Sequence, residues 1–212
     1  MGSPFDRYLP TAQPTPVAAL AAGGLILRDA FDGAGALDAH AIAPVNAVRA
    51  TWGGHADQFA LAGGAAVCNT TTFLGAMLDG MAYRRAFSAR LRFTGSESAN
   101  LNAGVIVRAE AKNFSTDITS FTVHLYPLSD EIVIREYPSG IDRASAPVTI
   151  DLGAWYVLKV VDDGATLSGY VNDVLRVRWS SALGYGNAYA GLRARVAVAG
   201  EQIEFDWFAV TA

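Results

Sequence analysis

Apolar and polar positions alternate in short runs over most of this chain. In one run Phe87, Ala89, Leu91 and Phe93 fall on one side, and Ser88, Arg90 and Arg92 on the other. The same period recurs around Phe121-Thr122-Val123-His124-Leu125-Tyr126, Leu175 to Trp179, Leu192 to Val196 and Ile203 to Trp207. Side chains alternate across a strand, so each run buries one face and wets the other. The pattern predicts strands over 25–31, 45–52, 58–61, 65–70, 83–94, 101–111, 119–126 and 131–137, then 146–151, 155–161, 166–171, 174–180, 189–198 and 202–210. Residues 73–81 are ambiguous: Leu74, Met77, Leu78 and Met81 have helical spacing, but Gly75 and Gly80 oppose a helix. Hairpin turns are expected at 127–130, at Asp162-Asp163-Gly164 and at Asn172-Asp173. So many strands, joined by hairpin turns, pack as stacked antiparallel sheets, which predicts an all-β sandwich over 25–212.

Residues 1–24 differ. Pro4, Pro10, Pro14 and Pro16 precede a small-residue run that ends in Gly23-Gly24. Proline fixes φ and removes donors, so this is read as an extended N-terminal arm. Such an arm becomes ordered only when tied down, and the expected anchor is a neighbouring subunit in a homo-oligomer.

A length of 212 residues suits one such domain plus the arm. The formal net charge of −4 argues against a nucleic-acid partner. No stretch reaches the ~18 apolar residues of a membrane span, and the N-terminus lacks the basic start of a signal peptide. The single cysteine, Cys68, cannot make an internal disulfide and is expected to be buried and inert. Lys112 and Lys159 are the only lysines. Arginines stand at i, i+2 in three places (90/92, 176/178 and 193/195), where they would face solvent and pair with acids across strands.

Asp29-Ala30-Phe31-Asp32-Gly33-Ala34-Gly35-Ala36-Leu37 opens the domain. Gly153-Ala154-Trp155-Tyr156 lies in its middle, Tyr170-Val171-Asn172 follows, and Phe205-Asp206-Trp207-Phe208 closes it. Over residues 25–212 this order resembles the concanavalin A-like lectin/glucanase jelly rolls, which implies a jelly-roll β-sandwich of two antiparallel sheets. They occur in sugar-binding modules, in glycoside hydrolases and, with a D-x-F-x-x-x-G-x-L opening, in tail and virion proteins of phages of actinobacteria. The resemblance implies that first and last strands lie side by side, that Phe31 packs on Phe205 or Trp207, and that Trp155 fills the space between sheets. It also implies a structural calcium between opening and closing segments, with Asp29, Asp32 and Asp206 as the matching oxygens.

Laminarinase-like members carry E-x-D-x-x-E. Here Glu131 and Glu136 match, but Val133 replaces the aspartate and cannot tune its neighbours by charge. The chain is therefore read as a non-enzyme. His40, His55 and His124 do not stand at metal-ligand spacing. His124 and Tyr126 share a strand face and are the candidates for glycan contact. The leading expectation is a structural phage virion protein, tail-, fibre- or capsid-associated. It would join other subunits through residues 1–24, with a lectin-like sandwich that touches host-surface carbohydrate. The alternatives are a free, extracellular carbohydrate-binding module and, after it, a glycoside hydrolase of the laminarinase type that uses Glu131 and Glu136.

Overall fold

The computed structural model describes residues 24–42, 50–71, 73–79, 81 and 85–212. The strands are β1 (Leu25–Asp29), β2 (Gly35–Ala36), β3 (Gly53–Gly54), β4 (Ala60–Ala62), β5 (Ala65–Cys68), β6 (Phe73–Leu78), β7 (Arg85–Thr94) and β8 (Asn102–Ala109). The second half holds β9 (Ser120–Tyr126), β10 (Glu131–Tyr137), β11 (Ile141–Pro147), β12 (Tyr156–Asp162), β13 (Thr166–Val171), β14 (Val174–Ser180), β15 (Tyr189–Arg195) and β16 (Gln202–Thr211). The arm and most of the expected strand 45–52 lie outside the described residues.

Two antiparallel sheets form the sandwich. The first runs β14-β13-β12-β7-β16-β5-β4-β2, and the second β11-β10-β9-β8-β15-β6-β3. One edge of β16 is shared: Ile203 to Phe205 pair with β5, and Phe208 to Thr211 pair with β1. First and last strands therefore do lie side by side, and Gly24 O accepts a further bond from Ala212 N.

Phe87, Ala89, Leu91 and Phe93 of β7 face Phe121, Val123 and Leu125 of β9 within one buried cluster, as their alternation requires. The ring contacts near the opening differ from expectation. Phe31 meets Trp52 at 5.9 Å, Trp52 meets Phe208 at 5.6 Å, and Phe205 packs on Phe59 at 6.2 Å. Trp52 bridges the two ends of the chain. Trp155 is also not between the sheets. Tyr156 takes the inward position with Leu158 and Val160, so its neighbour must point outward.

Residues 73–78 are strand, not helix. Leu74, Ala76 and Leu78 enter the main core, while Met77 is buried on the other face. A strand covered on both faces loses its polar alternation, which is why the spacing misleads. The strand expected at 146–151 is instead β11, ending at Pro147. Most of β11 is exposed or half-buried at the sheet edge, so apolar periodicity had nothing to mark it.

Candidate functional site

The outer face of the second sheet is built by register. Arg193 of β15 stands opposite Gly104 of β8, which stands opposite His124 of β9, opposite Val133 of β10 and then Ser145 of β11. Gly104 is required here: a Cβ on it would lie 2.6 Å from His124 Cα and 2.7 Å from its Cβ. The next row brings Ile106, Thr122, Arg135 and Asp142 into line.

This face is not the wet surface expected for His124. It carries its own apolar cluster of Met77, Ile106, Ala109, Phe114 and Tyr137. Phe114, from the segment between β8 and β9, is buried there and meets the Tyr137 ring edge-on at 5.6 Å. Gly75 makes room for it, since a Cβ would stand 2.5 Å from the Phe114 Cβ.

His124 is wholly buried. Its Nδ1 lies 3.0 Å from Thr122 Oγ1, its ring is edge-on to Tyr126 at 4.8 Å, and Nε2 has no partner among the described residues. Burial first, then the charges of Arg193 and Arg135, hold its pKa well below the ordinary value. It is thus a neutral interior histidine and does not reach solvent. Tyr126 beside it is half-buried, with the Arg135 guanidinium 6.0 Å from its ring centre. Arg135 donates to both carboxylate oxygens of Asp142, at 2.5 and 2.9 Å, which raises its pKa. Arg193 is fully buried, bonds Asn102, and has its pKa lowered by that burial. Neither Arg135–Asp142 nor Arg193–Asn102 was foreseen. Only strand register joins them.

The carboxylates of β10 diverge. β10 pairs regularly with β9, so Glu131 and Glu136, five apart, project to opposite faces. Glu136 is held by Arg143 at 2.8 and 3.1 Å. A retaining glycosidase needs its two carboxyl groups about 5–5.5 Å apart on one side of the sugar, and an inverting one about 6.5–9.5 Å. This pair does neither.

The three aspartates do not converge either. Asp29 is buried and accepts from Trp52 Nε1 at 2.6 Å and Phe31 N at 2.9 Å, with His40 Nε2 also at 2.9 Å. Asp206 pairs with Arg90 at 2.7 Å, and Asp32 is exposed. Among the described residues no group of three His, Cys, Asp or Glu could hold a metal.

The arginine pairs divide between sheets. Arg90 and Arg92 of the first sheet meet Asp206 and Glu204 across the β7–β16 ladder, as cross-strand pairing anticipates. Trp155 lies against both, 4.8 and 4.5 Å from the two guanidinium carbons. Arg193, expected at a solvent face, is in the other sheet and buried, because its face is roofed.

No protein-family model matches the sequence, and no curated protein matches it. Solved structures do resemble the fold. LamAcat from Zobellia galactanivorans superposes with a TM-score of 0.60 at 11% identity, covering 92% of this chain and 99% of that one. The Emp47p carbohydrate recognition domain gives 0.58 at 12% identity, covering 87% and 96%. The carbohydrate-binding module CBM66 from Bacillus subtilis gives 0.52 at 13% identity, covering 69% and 86%. At such identities the likeness is one of fold alone: this chain shares the two-sheet sandwich of these structures.

Proposed function

We propose that this chain is a non-catalytic, glycan-recognising protein that serves as a structural subunit of a phage virion. The observation that carries glycan recognition is Tyr126. It is a half-buried ring with His124 edge-on to it and Arg135, of the Arg135–Asp142 pair, against it. An aromatic body offers a sugar its apolar face, and adjacent charged groups bond its hydroxyls. The divergence of Glu131 and Glu136 supports recognition without hydrolysis. The virion assignment draws on the D-x-F-x-x-x-G-x-L opening from Asp29 to Leu37, with the arm as the anchor to neighbouring subunits.

Glycan-array binding tests the first part. Tyr126→Ala should weaken the best hit by about tenfold, equivalent to ~1.4 kcal/mol; an unchanged profile defeats the assignment. Chromatography of the chain with and without residues 1–24 tests the second. A monomer in both forms defeats assembly through the arm and leaves a stand-alone carbohydrate-binding module. That reading is favoured by the closure of β1 onto β16, which makes the sandwich self-contained.

A further inference from the structure

We propose that a pocket at one end of the sandwich receives the segment Phe5-Asp6-Arg7-Tyr8-Leu9 from the arm of a neighbouring copy. This names the docking site of the assembly reading above and rests on that reading. The pocket, about 470 Å³ in volume, lies where the edge strands β11 and β14 adjoin. Pro147 of β11 lines it on one side, with Val174 and Arg176 of β14 on the other. Asp130 enters from the turn between β9 and β10. Each sheet thus brings one charged residue.

Asp130 and Arg176 are the charged residues of the lining. Both are exposed, and neither makes an ion pair with the other or with a further described residue. Asp130 Oδ1 accepts from Ile150 N at 2.7 Å, which fixes the carboxylate and leaves Oδ2 to a ligand. Val148 and Tyr156 are buried and give the pocket an apolar floor, while Val174 beside them is 50% exposed. Covering such an apolar rim is favourable. The lining therefore fits an apolar segment that carries one acid and one base.

The arm contains one such segment. Asp6 and Arg7 are the charged side chains of residues 1–23, and Phe5, Tyr8 and Leu9 flank them. Neighbouring side chains of an extended chain project to opposite sides, so Asp6 can meet Arg176 of one sheet while Arg7 meets Asp130 of the other. Pro4 and Pro10 bracket the segment and favour extended backbone.

The topology also sets the geometry of the contact. Leu25 pairs with Thr211, and Thr211 with Ala86 near the start of β7; Tyr156 of the pocket pairs with Leu91 toward the end of β7. Gly24 therefore lies at the end of the sandwich away from the pocket, and a copy stacked end to end presents its pocket there. Such a contact is heterologous and repeats head to tail, as a ring or a filament.

Sedimentation velocity of the full chain tests this. The wild type is expected to self-associate. Arg176→Asp and Asp6→Arg should each weaken association by about tenfold or more, because like charges then meet in the pocket. The two substitutions together exchange the charges and should restore it. Arg176 is exposed, so its replacement leaves the core intact. A monomeric wild type overturns this inference together with the assembly reading. Association of unchanged strength in either single variant overturns the pocket alone and leaves the arm to anchor elsewhere, as does weakening that the double variant fails to relieve.

Discussion

Arg108 grips Asp162 with two parallel hydrogen bonds, Nε to Oδ2 at 2.8 Å and Nη2 to Oδ1 at 2.6 Å. The pair is buried and joins β8 of the second sheet to β12 of the first. Arg108 also donates from Nη1 to the carbonyls of Ser181 and Leu183, at 2.5 and 3.2 Å, and so secures the connection between β14 and β15. Its φ of +53 lies in the left-handed region, foreign to a regular strand, where β8 shifts register against β15. That bulge turns the side chain from the outer face toward the opposite sheet. Removing one partner strands a buried charge, so Arg108→Ala should cost about 3–5 kcal/mol. Urea unfolding, read by far-UV circular dichroism, measures it.

Asp29 accepts N–H donors on both carboxylate oxygens and holds Trp52 against Phe31 and Phe208. Asn at this position keeps the shape, removes the charge and turns one acceptor into a donor. Asp29→Asn should therefore destabilise by about 2–4 kcal/mol and alter tryptophan fluorescence. A variant with wild-type urea midpoint and emission would show that the carboxylate is not what positions Trp52.

His124 gives stability a pH dependence whose sign is fixed. Its folded pKa is depressed by burial and by Arg193 and Arg135, while the unfolded side chain titrates near pH ~6.5. The unfolded state therefore binds more protons below that point, and stability falls as pH drops through about 6.5. Above it the contribution is fully present. His124→Gln should flatten this part of the profile. An identical slope in the variant would assign the dependence to other groups.

Cys68 is buried, and that burial pushes its thiol up to about 11. The thiolate is the reactive form. A disulfide reagent at pH ~8 should therefore label native protein only at the rate of opening, and label urea-unfolded protein at once. Rapid native labelling would mean that β5 is not held at the sandwich interior.

Trp155 against Arg90 and Arg92 makes a surface array that also holds Asp206 and Glu204. Each guanidinium–ring contact at a half-exposed site contributes roughly 0.5–1 kcal/mol. Trp155→Ala should cost about 1–2 kcal/mol by urea unfolding, far below the loss of a core tryptophan. A loss beyond about 3 kcal/mol would indicate that the ring packs inside.

Much of the fold was legible because most strands have one core face and one polar face. β10, β13 and β14 coincide with their alternating runs, and the left-handed Asn172 and Asp173, with φ of 50 and 64, form the expected hairpin turn. Legibility failed where that condition failed. β6 is buried on both faces, and β11 is an edge strand with little burial on either.

The candidate site was less legible. The strand period correctly set His124 and Tyr126 on one face, opposite Phe121, Val123 and Leu125. It could not say that Phe114, arriving from a loop, roofs much of that face and makes it dry. Nor could it pair Arg108 with Asp162 or Arg193 with Asn102, 54 and 91 residues apart.

The sequence alone determined the alternation, the turns and the valine between Glu131 and Glu136, since these are properties of neighbours along the chain. Only the tertiary structure decided which face is wet and which arginine is buried. Those depend on register between distant strands and on what covers a sheet, and local periodicity carries no record of either.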